Sequence, residues 1–214
     1  MNKITEGTGL IDHYIFRKMV YFILKVFKFK NIHPNYIVLF NFVFAVFCFL
    51  LIISKYYIYA IMGSFLFIFF DMFDLLDGAV ARVYNKTSKF GAFFDGLMDV
   101  VSEILILLAV GFYFNFVFEV LLLLLFVLFV IYFSMRVKDI YQIKERQLNI
   151  FDVKKNTFID KIKYLIILCT RNDSRKIILC LGIVLGNFYL IFVYWGGLYV
   201  LALLNSISVI LKEK

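Results

Sequence analysis

Residues 71–103 read DMFDLLDGAVARVYNKTSKFGAFFDGLMDVVSE. The stretch places six of the chain's fifteen carboxylates, Asp71, Asp74, Asp77, Asp95, Asp99 and Glu103, in two segments otherwise apolar enough to lie in a membrane. An uncompensated charge at that depth costs about 3 kcal/mol or more, so the fold has to bring compensating charge to them. Asp74 and Asp77 are three apart and Asp95 and Asp99 four apart, which puts each pair on one face of its own helix. Two antiparallel helices joined by the loop at 83–89 then converge four carboxylates at one end of a bundle.

Composition sets the surroundings of this stretch. With 64% apolar residues, 28 Phe, one Pro and a mean hydropathy of +0.92, the chain is not a soluble core. It reads as an all-α polytopic membrane protein of 214 residues, with too little polar sequence for a second, soluble domain. Six spans are expected near 35–54, 57–82, 90–113, 117–135, 176–190 and 192–211. Residues 176–211 also permit one long bent helix with a re-entrant piece, since Gly182, Gly186, Gly196 and Gly197 allow either course. The expected organisation is an N-terminal interfacial segment, 1–33, followed by a six-helix membrane domain, 34–214.

The net charge of +8 is distributed as an orientation signal rather than as a nucleic-acid surface. Lys3, Arg17, Lys18, Lys25, Lys28 and Lys30 precede span one, and Arg82, Lys86 and Lys89 lie between spans two and three. Eleven more, from Arg136 to Lys176, lie around the segment between spans four and five, Lys212 and Lys214 follow span six, and Lys55 alone is left for the other face. By the positive-inside rule both termini and the loops at 83–89 and 136–175 are cytosolic. Residues 9–30 mix apolar and basic side chains too densely to cross, and read as an amphipathic helix lying in the cytosolic interface. Residues 158–169 read as a second interfacial helix, without chemistry of its own. No cleavable signal peptide is expected, because residues 1–9 are polar and no small-residue cleavage site follows the first apolar run.

Few other residues point to chemistry. Cys48, Cys169 and Cys180 lack metal-ligand spacing, and neither His13 nor His33 has a second His or Cys nearby. Pro34 opens the first span, where it needs no amide partner. Span two, about 26 residues, is roughly 39 Å long against a hydrocarbon core of ~30 Å, so its last turns reach headgroup level. Four oxygen-ligand carboxylates there are the donor set of Mg²⁺ or Mn²⁺, and paired ions of this kind recur in phosphoryl chemistry. Gly78, Ala81 and Gly91 remove bulk beside them, which suits close helix packing or close approach of a phosphate, and Arg82 adds a fork that fits phosphate.

The run Asp74-x2-Asp77-Gly78-x2-Ala81-Arg82-x8-Gly91-x3-Asp95-x3-Asp99 resembles, at every fixed position, the signature of the CDP-alcohol phosphotransferase family. At average residue usage near 5%, eight fixed residues coincide by chance in roughly 10⁻⁸ of chains of this size. The resemblance implies displacement of CMP from a CDP-activated lipid or alcohol by a hydroxyl of a second substrate, in an integral membrane homodimer. It further implies that Asp74, Asp77 and Asp95 hold two divalent ions, with Asp99 near a metal and acting as general base. Contacts to the CDP part fall on Asn35, Tyr36, Ile37, Val38, Gly78, Arg82 and Ser88.

For the acceptor, Arg136 and Lys138 after span four and Arg171 and Arg175 before span five are the candidates. As a group they suit a phosphorylated alcohol such as inositol phosphate or glycerol phosphate, or else they serve as positive-inside residues pairing with lipid headgroups. Asp71 and Glu103, one turn deeper, are expected to share a proton or a water rather than bind metal, or else to make a purely structural polar contact. The expected donor is CDP-diacylglycerol or CDP-archaeol. An alternative reverses the parts, with a soluble CDP-alcohol of the choline or ethanolamine type donating to a lipid alcohol. A divalent-cation transporter is the remote alternative, and the outer half of the bundle, nearly free of ionisable residues apart from Glu119, speaks against it.

Overall fold

The start of the first long helix shows how locally the chain is punctuated. Pro34 occupies the first turn, His33 caps it in extended conformation, and the His33 Nδ1 accepts the Asn35 N–H at 3.3 Å. The computed structural model describes residues 15–27, 29–141 and 172–212, and its regular structure there is helical throughout. In order the helices are α1 Arg17–Val26, α2 Pro34–Ile53, α3 Tyr57–Ile68, α4 Phe70–Val83, α5 Lys89–Phe114, α6 Val117–Tyr141, α7 Asn172–Val184 and α8 Phe188–Lys212. Residues 140–170, with the second interfacial helix expected there, lie almost wholly outside the described residues.

Among the described residues four stretches are long and apolar enough to cross a membrane: Pro34–Ile53, Tyr57–Val83, Lys89–Phe114 and Val117–Val137. Phe188–Leu204 is a shorter apolar stretch. The second of the four comprises α3 and α4, which run on through a tightened turn at Phe69. There Phe69 N–H bonds to Leu66 O at 2.9 Å and Met72 N–H to Phe69 O at 3.0 Å, both three residues back.

The C-terminal region is two helices rather than one long bent one, and the break falls earlier than the sequence suggested, at Leu185–Asn187 instead of near residue 191. Gly186 takes a left-handed conformation (φ +62°), and the Asn187 N–H returns to Gly182 O at 2.8 Å, closing α7. Asn187 Oδ1 then accepts the Leu190 N–H at 3.2 Å to open α8. Of the four glycines that left the region open, this one is the terminator.

Helix α2 lies at the centre, packed along α3, α4 and α5; α7 packs on α3, α6 on α5 and α8, and α1 on α4. The main core joins Ala45, Cys48 and Ile52 of α2 to Ala60 and Phe67 of α3, Ile106 and Val110 of α5, Ile183 of α7 and Trp195 of α8. A smaller cluster sets Phe16 and Val20, at and before the first turn of α1, on Met72, Leu76, Ala79 and Val80 of α4. Outside these cores the bundle exposes large apolar side chains all round, Phe47, Phe65, Phe118, Leu125 and Phe129 among them. Such a surface belongs in hydrocarbon, and the protein is a multi-pass membrane protein.

At the end of the bundle remote from residues 83–89, polar groups tie the turns together. Asn115 closes α5 in a left-handed conformation (φ 61°), and its Oδ1 accepts the Lys55 ammonium at 2.9 Å. The Tyr57 hydroxyl donates to Val184 O at 2.8 Å. In the interior, α2 and α3 approach so closely at Gly63 that an added Cβ would sit 2.8 Å from Cys48 O and 2.9 Å from Leu51 Cβ. Backbone cannot rotate away as a side chain can. Gly63→Ala is therefore expected to cost about 1–3 kcal/mol, read as a lowered unfolding midpoint in detergent. Gly197→Ala, whose Cβ meets nothing within 4 Å, is expected to change it by less than about 0.5 kcal/mol.

Candidate active site

Helices α4 and α5 each pack along α2 rather than along one another, which leaves space between their facing sides. The carboxylates fill that space. One oxygen each from Asp74, Asp95 and Asp99 lies within 4.8 Å of the others. Asp77, on the same face of α4, is 4% exposed, and its Oδ2 is buried with no hydrogen-bond partner among the described residues. Three converging carboxylates and an orphaned fourth oxygen are a poor arrangement without cations and a fitting one with them. The donor set is all oxygen and all anionic, as hard divalent ions require.

Next to the cluster a cleft of ≈ 180 Å³ opens between α2, α4 and α5, lined by Pro34, Asn35, Val38, Asp77, Gly78, Ala81, Arg82, Lys86, Thr87, Ser88, Gly91, Ala92 and Asp95. Two helix N-termini meet there. Ser88 caps α5, its Oγ accepting the Gly91 N–H at 2.9 Å, and α2 begins at Pro34 and Asn35. The positive ends of both helix dipoles make such a corner a binding place for anions, although in α2 the Asn35 and Tyr36 amides are already bonded to His33. The Arg82 guanidinium lies over Gly78, where an added Cβ would stand 3.2 Å from its Nη1. At Gly91 the same atom would stand 3.0 Å from Ser88 Oγ and 3.3 Å from Asn35 Oδ1.

Of the residues expected to contact CDP, Asn35, Val38, Gly78, Arg82 and Ser88 share this cleft, while Tyr36 and Ile37 do not reach it. Tyr36 is 70% exposed and Ile37 is buried against α4. Both face an apolar groove of ≈ 370 Å³ bounded by Ile23, Phe27, Phe40, Phe73 and neighbours. Lys86, in the loop between spans two and three, is held in place: its ammonium donates to the carbonyls of Lys30 at 2.6 Å and Ile32 at 2.9 Å.

A second, smaller pocket of ≈ 40 Å³ lies against the same carboxylates, lined by Phe67, Phe70, Asp71, Asp74, Asp99, Glu103, Arg175 and Lys176. Of the two expectations for Asp71 and Glu103, the structure shows the polar contact: each has a cation from α7 as its partner. The Lys176 ammonium pairs with Asp71 and sits over the rings of Phe67 and Phe70, 4.8 and 4.4 Å from their centroids. Arg175 pairs with Glu103 at 2.5 Å and takes a hydrogen bond with the Tyr199 side chain.

Lys176 had read as one more basic residue at the end of a loop, yet it is 6% exposed. Its position immediately ahead of the apolar run at 177–184 was the available signal. Of the four expected acceptor residues, Arg175 reaches this pocket. Arg136 is turned back along its own helix, Nε donating to the Tyr132 hydroxyl at 3.1 Å. The Lys138 side chain and Arg171 lie outside the described residues.

The fold and site together define a membrane protein that can grip a phosphate-bearing group beside divalent cations. The family model for CDP-alcohol phosphatidyltransferases matches residues 31–203, and the chain belongs to that family. It is thus a transferase of phospholipid synthesis, of the class that moves substituted phosphate groups, and its family uses divalent metals. Among curated proteins none matches this chain.

The ion pairs carry a stability consequence. Removing one partner of a buried pair leaves the other charge uncompensated, at about 3–5 kcal/mol, whereas replacing both by apolar groups is often neutral. Lys176→Met is expected to lower the unfolding midpoint accordingly, and Lys176→Met combined with Asp71→Leu to regain most of the loss, measured by thermal unfolding in detergent.

Proposed function

We propose that the protein transfers a phosphatidyl-type group from a CDP-activated lipid, CDP-diacylglycerol or CDP-archaeol, to the hydroxyl of a small polar alcohol, releasing CMP. The observation that carries this reading is the placement of the Asp74, Asp95 and Asp99 oxygens within 4.8 Å of one another beside a cleft formed by two helix N-termini. The family match over residues 31–203 gives the arrangement its chemistry.

In this reading the CDP diphosphate lies in the cleft. The first turn of α5, the positive helix ends and the Arg82 fork hold its oxygens, and Gly78 and Gly91 let it approach the backbone. Asp74, Asp77, Asp95 and Asp99 would hold two divalent ions, Mg²⁺ or Mn²⁺, whose charge would neutralise the diphosphate and polarise its phosphorus. Asp99 takes the proton of the acceptor hydroxyl as that oxygen bonds to the lipid-side phosphorus. The bond from this phosphorus to the bridging oxygen breaks in line, and CMP leaves with the electron pair.

The second pocket, walled by charge, supports a small polar acceptor over a lipid alcohol, and so supports the lipid on the donor. The apolar groove beside α2 is room for a chain of that lipid. A phosphate on that acceptor, as in inositol phosphate or glycerol phosphate, is supported by Arg175 in this pocket, while Arg136 is turned onto Tyr132.

The wider arrangement follows the same reading. Residues 34–214 form a six-span membrane domain whose fifth and sixth spans are α7 and α8. Residues 1–33 form an interfacial amphipathic segment that includes α1, and both termini and the site face the cytosol. The charge asymmetry supports this orientation, and the family resemblance supports a homodimer.

Purified protein in detergent, given Mg²⁺, CDP-diacylglycerol or CDP-archaeol and a panel of alcohols, is expected to release CMP. Chelation is expected to abolish the release. Asp99→Asn is expected to lower kcat about 10²–10⁴-fold while leaving CMP binding measurable by calorimetry. CMP release that survives Asp99→Asn unchanged would remove the general base from the scheme.

A further inference from the structure

Asn41 is a buried hydrogen-bonding side chain that the proposed transfer leaves unused. Between Ile37 and Ile53 it is the only such side chain of α2 apart from the Cys48 thiol. It is 3% exposed and lines neither the cleft nor the second pocket. Its Oδ1 is buried with no hydrogen-bond partner among the described residues. A carboxamide in that state works against the fold, so the position calls for a reason.

Helical register supplies one. Asn35 of α2 stands against Gly91 of α5, where an added Cβ would meet its Oδ1 at 3.3 Å. Both helices start at the cleft and run away from it, so Asn41, six residues farther on, is about level with Leu97, between Asp95 and Asp99. Helix α4 ends at the cleft and runs the other way. Val38 shares the cleft with Asp77, so three residues deeper on α2 corresponds to three residues back on α4, at Asp74. Direction agrees with depth. At about 100° per residue, Asn41 falls between Val38, which lines the cleft, and Phe44, whose ring packs on Phe73 of α4. That sector of α2 is turned to the gap between α4 and α5, where the Asp74, Asp95 and Asp99 oxygens lie within 4.8 Å of one another.

We infer, resting on the reading of these carboxylates as a divalent-cation site, that Asn41 is a positioning residue for that site. Its Oδ1 accepts a hydrogen bond from a water in the shell of the cation and so braces the shell from the α2 side. Mg²⁺ keeps several waters when carboxylates hold it, and a water polarised by a cation donates strongly. Such a donor answers the orphaned oxygen without opening it to solvent. A carboxamide suits the place because the aspartates already supply the negative charge, and a neutral acceptor adds an oxygen without adding repulsion.

The test titrates Mn²⁺ by calorimetry into the full-length protein in detergent with CMP present. Asn41→Ala, which removes the acceptor, is expected to raise the Mn²⁺ dissociation constant about tenfold. Asn41→Asp, which keeps an oxygen at the same place, is expected to leave it no weaker than in the unaltered protein. A residue that served only to pack α2 against its neighbours would leave Mn²⁺ affinity alone, or would weaken it equally in both variants. A dissociation constant in Asn41→Ala within about twofold of the unaltered protein therefore overturns the inference, and so does equal weakening by Asn41→Asp. If the unaltered protein binds Mn²⁺ and either of these results is found, this inference alone fails. If the unaltered protein takes up no Mn²⁺, the reading of the carboxylates as a cation site fails with it.

Discussion

Placing carboxylates inside an apolar bundle is the constraint from which the rest of this structure follows. Six acids enter two helices at a depth where none can stay ionised without compensation, and the chain answers in two ways. The deeper pair, Asp71 and Glu103, is met by covalent countercharge, Lys176 and Arg175, carried on α7 much later in the chain. The outer group, Asp74, Asp77, Asp95 and Asp99, is an all-oxygen, all-anionic set of the kind that a divalent cation would compensate. The same helix positions therefore carry a structural layer and a chemical layer, one turn apart.

That layering explains why α2 is central. Were α4 and α5 packed face to face, the outer carboxylates would be forced into contact and the cleft would close. Both lean on α2 instead, and small residues on it and its neighbours, Ala45, Ala60 and Gly63, keep the contacts tight where no space is wanted. The start of α2 contributes to the cleft and its middle to the core, so one helix sets both the width of the site and the rigidity behind it.

Much of this could be read from the chain. Spacings of three and four residues bring Asp74, Asp77, Asp95 and Asp99 to facing sides of two helices, and the first four expected spans match the four stretches that, among the described residues, are long and apolar enough to cross a membrane. Periodicity also shows why a run of neighbours does not act together: at about 100° per residue, Asn35 and Val38 turn to the cleft while Tyr36 and Ile37 turn away. The partners of Asp71 and Glu103 were not legible, because no local pattern reveals which of many basic residues folds back across the bundle. The break at Gly186 was hidden for a related reason. Four glycines offered the same freedom, and only packing against the following helix decides which one uses it.

Lys86 holds the rim of the cleft by donating to two main-chain carbonyls, those of Lys30 and Ile32. Main-chain oxygens are supplied by every residue, so this tether places no demand on which side chains stand at 30 and 32. Those positions are free to drift while the contact persists. Comparing related sequences for paired changes would leave the tether invisible, and Lys86 would look like a solitary surface charge.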